Sequence, residues 1–484
     1  MIRVVCKDNR IHSVNGAADL LQAVRAAGEP FEAPCGGAGR CGKCMVELVS
    51  GLFVPIGFTG APSDVRDAVN LPGITADARI GPKIKDGKMY ARACVTSALG
   101  DAVIKIPDRS DAAFFGERTG ETLAVDLGTT IIEAAVVDGA GQVRGGIALP
   151  NPLAAYGADV LSRIAAAKQG NFDEMHRLTA DCVAKLAADC GCKGVMAVGN
   201  TAALHFLLGA DPSSMGEYPF KPAFTRSGSM TRGGIKIRTL GCLSAFIGAD
   251  ALAGAAFLSL REGEMMVDLG TNCEIAMYSR GKYYMCSAAA GPAIEGAGIS
   301  CGMGGRQGAI DSVFYDKGMK FTVIGGAEPE GICGSGLIDA VAVAVRIGLV
   351  DESGAMDKNL DGRLSIGGVS VGQKDVRAFQ LAKSAVRAAI ETVCGSAGTA
   401  PSKILLAGGL GLHVNPLSAK AVGMIPDVQT ETCGNAALKG CVRAAADPRF
   451  KQSVNRIKRL SRVEELKGRD FEQKLIAYTA LRHI

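Results

Sequence analysis

Four cysteines near the amino terminus have the types and spacing of an iron–sulfur ligand set. Cys35, Cys41 and Cys44 follow the spacing C-x5-C-x2-C in a loop of glycine and other small residues, and Cys94 is the fourth. A [2Fe–2S] cluster requires four thiolates, two for each iron. Glycines suit a loop around an anionic cluster, because they allow positive φ and let backbone N–H groups point at sulfur. Cys41 and Cys44 alone would also fit a redox dithiol or half a zinc site, but the complete set predicts a [2Fe–2S] centre.

Two nearly repeated turns indicate a second kind of chemistry. Residues 123–137 and 265–277 each place the sequence Asp-Leu-Gly-Thr between two apolar stretches, which predicts strand, tight turn and strand. In such a turn glycine lets the backbone approach a phosphate, while Thr hydroxyls and backbone N–H groups donate to it. The leading Asp can hold Mg²⁺ or its waters. One such turn is weak evidence, whereas the pair predicts a duplicated fold whose halves face each other across a cleft.

Two further glycine-rich turns complete the predicted nucleotide site. Residues 331–340 open a helix with glycines, and residues 404–411 form a buried strand that ends in a Gly-Gly turn suited to an adenine or ribose. The residues expected to bind ATP are Gly128, Thr129, Thr130, Gly270, Thr271, Asn272, Gly334, Gly336, Gly408 and Gly409. Asp126 and Asp268 are expected to be catalytic, positioning Mg²⁺ and the attacking water at the γ-phosphate.

The order of these features predicts a multidomain chain of α+β and α/β class. Residues 1–106 read as strands, one helix and the cysteine loop, an arrangement that resembles the β-grasp [2Fe–2S] ferredoxin domain. Residues 107–120 are polar and are predicted to be a linker. Residues 121–484 resemble the duplicated ribonuclease-H-like ATP-binding domain of the actin, heat-shock-70 and acetate kinase superfamily (ASKHA), with lobes at about 121–250 and 251–484.

Composition limits the other functions that the chain can have. The 484 residues are 48% hydrophobic, without an apolar run of membrane-spanning length, and the amino terminus lacks a signal-peptide core. We therefore expect a cytoplasmic protein with no membrane partner. Sixteen cysteines in that compartment indicate metal ligation and buried thiols rather than disulfides. A net charge of +5 and the absence of Trp give no support to nucleic-acid binding.

Read together, the motifs are similar to those of the reductive activators of corrinoid proteins. The stretches that carry this resemblance, besides the cysteine loop, are residues 199–212, 247–250, 289–297, 373–377 and 434–438. The resemblance covers residues 1–106 and 121–484. It implies an ATP-hydrolysing enzyme that drives one electron from its [2Fe–2S] cluster onto the Co(II) corrinoid of a methyl-transfer protein, giving Co(I). It also implies an upstream low-potential electron donor and a homodimer built through the ATP-binding domains.

The chain departs from the family pattern at two points. Longer members carry a small middle domain after the ferredoxin domain, and the short linker here suggests that this chain lacks it. Cys273 stands where the second of these turns usually has glycine in the family, and we expect the structure to tolerate it; no role is assigned to it. Two other functions stay open: an activator of another low-potential metalloenzyme, or a small-molecule kinase with a redox-sensing ferredoxin domain.

Overall fold

In the computed structural model, the described residues are 1–6, 10–28, 31, 44–65, 68–85, 87–106, 113–117, 119–296 and 298–481. The chain divides into two units. The first contains Met1–Phe114, Thr129–Ile132 and Ile147–Cys182, and the second contains Phe115–Gly128, Glu133–Gly146 and Val183–Ile484. The first unit therefore combines the predicted ferredoxin domain with two segments of the predicted ATP-binding domain.

A mixed sheet and one short helix form the amino-terminal part of the first unit. The strands are β1 (Ile2–Val5), β2 (Ile11–Val14), β3 (Met45–Pro55), β4 (Val69–Leu71), β5 (Ile74–Ala76), β6 (Lys83–Lys85), β7 (Lys88–Arg92) and β8 (Thr96–Lys105). Strand β1 pairs antiparallel with β2 and parallel with β8, as the predicted β-grasp arrangement requires. Helix α1 (Leu20–Ala26) begins where the Asp19 carboxylate accepts the N–H of Gln22 at 2.7 Å, an N-cap that satisfies a free backbone donor.

A second sheet carries the first Asp-Leu-Gly-Thr turn. Its strands are β9 (Ala113–Gly116), β10 (Thr122–Leu127), β11 (Ile131–Val137), β12 (Val143–Pro150), β13 (Gly194–Gly199), β14 (Ser229–Arg232) and β15 (Ile235–Thr239). They lie in the order β14-β15-β13-β10-β11-β12-β9. Strand β9 falls within residues 107–120, so part of the predicted linker is an edge strand of this sheet.

A third sheet carries the second turn. The remaining strands of the described residues are β16 (Glu264–Asp268), β17 (Cys273–Ser279), β18 (Lys282–Ala288), β19 (Ala309–Tyr315), β20 (Met319–Val323), β21 (Gly331–Ile332), β22 (Arg363–Ile366), β23 (Val369–Gly372), β24 (Lys403–Ala407), β25 (Gln429–Gly434) and β26 (Ser461–Val463). The third sheet has the order β25-β24-β16-β17-β18-β26, while β19–β21 and β22–β23 form two small sheets. Both turns thus follow a strand that has a parallel neighbour, β13 beside β10 and β24 beside β16.

Helices cover these sheets. They are α2 (Val160–Ala166), α3 (Phe172–Asp189), α4 (Thr201–Leu208), α5 (Ala249–Leu258), α6 (Gly334–Arg346), α7 (Gln373–Ala397), α8 (Gly408–His413), α9 (Pro416–Ala421), α10 (Ala436–Ala446), α11 (Phe450–Leu460) and α12 (Gly468–Ala477). Helix α10 follows β25 in the chain but packs on α5, β10 and β13. It therefore joins elements from the two predicted lobes. Within the described residues, none of the helices has the length and apolar character needed to cross a membrane.

Candidate functional site

Two of the four predicted cluster ligands meet in the first unit. Cys44 lies directly before β3, and Cys94 lies in the 3₁₀ turn Ala93–Val95; their Sγ atoms are 3.1 Å apart. Both side chains are buried, and the N–H of Ala93 donates to the Cys44 carbonyl at 2.7 Å. Cys35 and Cys41 lie outside the described residues. Two converging thiols suit ligation of one iron, so this part of the site fits the predicted cluster.

Asp126 and Asp268 lie within electrostatic reach of two further carboxylates, Glu133 and Asp250, in the second unit. Asp126 lies in β10, Glu133 in β11, Asp250 in the first turn of α5, and Asp268 at the end of β16. Burial, followed by Asp250, raises the pKa of Asp126 well above its usual range, and Asp268 and Glu133 add to this effect. Burial, Asp250 and Glu133 raise the pKa of Asp268 to about 7. The two predicted catalytic residues are therefore brought together in a strongly negative region that favours a cation.

Asn435 connects two of these carboxylates. Its Nδ2 atom donates to Asp126 Oδ2 at 2.8 Å and to Glu133 Oε2 at 3.0 Å. Its Oδ1 atom accepts the N–H of Leu438 at 2.7 Å, which caps α10. One amide therefore fixes the start of a helix and the positions of two acidic side chains.

The Gly408–Gly409 turn lies against the same carboxylates. A Cβ atom on Gly408, whose φ is +87°, would lie 2.4 Å from Asp268 Oδ1 and 2.7 Å from the Leu269 carbonyl. A Cβ atom on Gly409 would lie 3.3 Å from Glu133 Oε1. The predicted Gly-Gly turn therefore requires glycine at position 408, and it lies beside a predicted catalytic residue.

The second Asp-Leu-Gly-Thr turn is held by its own acidic partner. The Thr271 hydroxyl donates to Glu295 Oε2, and the Thr271 carbonyl accepts the N–H of Gly291 at 3.0 Å. A Cβ atom on Gly270 would lie 3.3 Å from the Asn272 carbonyl and 3.6 Å from Glu295 Oε1. In this structure the Thr271 hydroxyl thus meets a carboxylate, so its donation to a phosphate would require this bond to break.

Gly334 and Gly336 have a packing role at the start of α6. A Cβ atom on Gly334 would lie 1.9 Å from the Ile294 carbonyl, and one on Gly336 would lie 2.3 Å from the Ile310 carbonyl. The helix begins at Gly334, as the sequence predicts. Close backbone approach explains both glycines, and their predicted contact with nucleotide stays a prediction.

Residues of the first Asp-Leu-Gly-Thr turn are held by contacts within the first unit. Gly128 belongs to the second unit, whereas Thr129 and Thr130 belong to the first. The buried side chain of Arg163 donates through Nη2 to the Thr129 carbonyl at 2.6 Å. The N–H of Asn151 donates to the Thr130 carbonyl at 3.0 Å. These contacts fix the backbone of the turn from within the first unit.

Several residues of the site were not predicted from the sequence. Glu133, Asp250, Glu295 and Asn435 were not assigned roles, although Glu133 follows a predicted turn and the other three lie in stretches that carry the family resemblance. Asp250 follows Gly248 at a helix start, and Asn435 follows Gly434, an arrangement typical of a helix N-terminus. The sequence around Asp250 and Asn435 therefore indicated only the start of a helix, and it gave no indication that either side chain interacts with a distant carboxylate.

A metal ion at this region would depend on ligands beyond the protein. Among the residues that the structure describes, no three His, Cys, Asp or Glu side chains form a ready metal-binding group. Mg²⁺ commonly binds one or two carboxylates together with phosphate oxygens and waters. The arrangement is therefore suited to a cation that arrives with a phosphate-bearing nucleotide.

Three family models match successive parts of the chain. A 2Fe-2S iron–sulfur cluster binding domain matches residues 4–69, the RACo middle region matches 122–263, and the C-terminal domain of RACo, the ASKHA domain, matches 262–484. Residues 122–484 are therefore similar to RACo. The fold class predicted from the sequence, an iron–sulfur domain followed by an ASKHA domain, is thereby confirmed. The suggestion that a middle domain is missing is not retained, because residues 122–263 match the middle-region model.

Named relatives agree with this assignment. The chain is 32% identical over 379 residues to "Corrinoid activation enzyme RamQ" of Eubacterium limosum, covering 66% of this chain and 63% of that protein. It is 33% identical over 211 residues to "[Co(II) methylated amine-specific corrinoid protein] reductase" of Methanosarcina barkeri, covering 37% and 38%. The matches thus span less than two thirds of each curated relative. A solved "Reductive activator for corrinoid,iron-sulfur protein" shares the fold with a TM-score of 0.68 at 23% identity, covering 100% of this chain and 99% of that one.

Proposed function

We propose that this chain is an ATP-hydrolysing enzyme that reduces the Co(II) corrinoid of a partner methyl-transfer protein to Co(I). The proposal is supported by the presence of paired buried cysteines and a group of interacting carboxylates in one chain whose residues 262–484 match the ASKHA domain of RACo. The names of the two curated relatives, a corrinoid activation enzyme and a Co(II) corrinoid protein reductase, supply the substrate class.

The cluster is proposed to be of the [2Fe–2S] type, held by Cys35, Cys41, Cys44 and Cys94. When bound, it supplies one electron at a time to the cobalt, and an upstream low-potential donor returns the electron. The buried positions of Cys44 and Cys94 keep water from these two sulfur atoms. We further propose the domain limits 1–106, 107–120 and 121–484, a homodimer through the ATP-binding domain and a cytoplasmic location.

The nucleotide is proposed to bind as Mg-ATP at the carboxylate site. Asp268 and Asp126 would hold Mg²⁺ or its waters, because carboxylates are the hard oxygen ligands that this ion prefers. Burial is the larger cause of the raised pKa of both groups, and repulsion from neighbouring carboxylates adds to it; a bound cation would offset this repulsion. Gly408 and Gly409 would let the backbone approach the nucleotide closely, since neither carries a side chain between backbone and ligand.

The test is reduction of a corrinoid protein by the full chain under anaerobic conditions. A Co(II) corrinoid methyl-transfer protein, a chemical reductant and Mg-ATP are mixed with this chain, and Co(I) formation is followed by visible absorbance. We expect reduction that requires ATP, and ATPase activity that the corrinoid protein stimulates. Equal reduction with and without ATP, or no reduction with any corrinoid partner tested, would contradict the proposal. A small-molecule kinase would instead phosphorylate its substrate with no protein partner present.

A further inference from the structure

Arg25 links the helix of the ferredoxin domain to a distant part of the chain within the first unit. Its Nε atom donates to the Ala155 carbonyl at 3.0 Å, and its Nη2 atom donates to the same oxygen. The guanidinium carbon also lies 5.1 Å from the centre of the Tyr156 ring, a cation–π contact with a buried side chain. Three contacts therefore tie the last turn of α1 to residues 155–156.

The same arginine interacts electrostatically with two predicted cluster ligands. Helix α1 packs against the 3₁₀ turn that carries Cys94, and Cys94 Sγ is 3.1 Å from Cys44 Sγ. Burial lowers the Arg25 pKa, while the charges of Cys44 and Cys94, as thiolates, act in the opposite direction. Arg25 is thus a fixed positive charge within electrostatic reach of two predicted iron ligands.

The segment of residues 151–163, which contains Ala155, also contacts the first Asp-Leu-Gly-Thr turn. Asn151 caps the 3₁₀ helix Pro152–Ala155, and its N–H donates to the Thr130 carbonyl. Arg163 donates to the Gly157 carbonyl at 3.0 Å and to the Thr129 carbonyl at 2.6 Å. The segment that Arg25 contacts is therefore attached to the turn at both of its ends.

We propose that Arg25 couples nucleotide occupancy of the Thr129–Thr130 turn to the reduction potential of the cluster. This inference rests on the proposed function, because it needs a cluster at Cys44 and Cys94 and a nucleotide at the turn. A nearby cation stabilises the reduced cluster, which carries one more negative charge than the oxidised cluster. If the nucleotide moves residues 151–163, it moves Arg25 relative to the sulfur atoms and changes that stabilisation. By linkage, the oxidation state of the cluster must change nucleotide affinity by the same factor.

The experiment measures the midpoint potential of the cluster in the full chain without nucleotide, with Mg-ADP and with Mg²⁺ and a non-hydrolysable ATP analogue. Calorimetry on the oxidised and reduced protein gives the nucleotide affinities independently. We expect the potential to depend on the nucleotide, and a tenfold affinity ratio between oxidation states corresponds to about 59 mV for one electron. Binding of nucleotide with no change in potential would overturn the coupling while leaving the proposed function intact. Absence of nucleotide binding, or of a cluster spectrum, would overturn both.

Two variants separate the charge of Arg25 from its hydrogen bonds. Arg25→Gln removes the charge, so the nucleotide-free potential should become more negative and the nucleotide-dependent shift should be lost. Arg25→Lys keeps the charge but cannot present two donors to one carbonyl in the same fixed geometry, so the potential should stay near that of the wild type while the shift decreases. The Arg25→Lys variant also serves as the test if Arg25→Gln loses its cluster. Arg79→Gln removes an equal charge from a pair with Asp77 in the same unit and should retain the shift. A full nucleotide-dependent shift in both Arg25 variants would refute the inference.

Discussion

Asn435 donates its side-chain amide to Asp126 at 2.8 Å, across 309 positions of the chain. The same nitrogen donates to Glu133, and the amide oxygen is occupied by the N–H of Leu438. The cap therefore orients the amide, and both of its N–H groups face carboxylates. Because α10 follows the third sheet but packs on β10 and β13, this contact fixes Asp126, which we propose to be catalytic, relative to both halves of the second unit.

Replacing Asn435 by Ser should separate its two roles. Ser is as good an N-cap as Asn, so α10 should remain folded, but its shorter hydroxyl cannot bridge Asp126 and Glu133. A hydrogen bond to a charged group contributes about 1.5–3 kcal/mol, so kcat/KM for ATP hydrolysis should fall by roughly 10–100-fold. Steady-state ATPase assays and circular dichroism give the two readings. Asn415→Ser changes another N-cap, at α9, and should leave hydrolysis unchanged. Equal activity in both variants would show that the bridge is dispensable.

Gly408→Ala should weaken nucleotide binding. The new methyl group would meet Asp268 Oδ1 and the Leu269 carbonyl, and the φ of +87° adds backbone strain of about 1–2 kcal/mol. We expect ATP affinity, measured by calorimetry, to fall at least about tenfold. Gly348→Ala is the matched control, because Gly348 has a φ of +77° but has no atom within 4 Å of an added Cβ. If both variants lose affinity equally, strain rather than the displaced carboxylate is responsible.

The pKa of Asp268, raised to about 7, predicts how stability changes with pH. Between about pH 4 and 7 the folded protein binds a proton at Asp268 more tightly than the unfolded chain does, so stability should decrease as pH rises through this range. Above pH 7 the loss is complete, and the ionised carboxylate is free of competing protons for Mg²⁺. Thermal unfolding from pH 5.5 to 8.0 should therefore show greater stabilisation by Mg-ADP at pH 8.0 than at pH 6.0. In Asp268→Asn this difference should shrink, and an unchanged difference would assign the effect to another group.

The sequence predicted the parts of the fold that depend on local pattern. The Asp-Leu-Gly-Thr turns gave the strand pairs on either side of them, and the apolar stretch before Gly408 gave strand β24. Asp19 and Gly28 likewise marked the limits of α1 to within two residues. In each case a short segment contains both the hydrophobic period and its stop signal.

Contacts between distant polar residues could not be predicted in this way. Asn435 and Asp250 show only the local sequence features of helix starts. A single sequence does not show which distant carboxylate each side chain will contact in the fold. Glycine was ambiguous for a similar reason. Gly408 lies against the Asp268 side chain as well as the Leu269 backbone, whereas Gly334 lies against the Ile294 carbonyl, and both give the same signal in the sequence. Only the packing of the strands and helices decides which neighbour each glycine admits.

The two chemistries of the chain should be separable by single substitutions. Cys44→Ser replaces a soft thiolate ligand, so the visible spectrum of the cluster should be lost or altered, while calorimetry still detects ATP binding in the second unit. Cys242→Ser changes a buried cysteine of the second unit and should keep the cluster spectrum.

Asp268→Asn preserves shape but removes the charge that would hold Mg²⁺, so ATP hydrolysis should fall by orders of magnitude with the cluster spectrum intact. Each of the Cys44 and Asp268 variants should fail to form Co(I) when corrinoid protein, reductant and ATP are supplied. Full Co(I) formation by Cys44→Ser would show that the electron bypasses the cluster, and full formation by Asp268→Asn would show that hydrolysis at this carboxylate is not required.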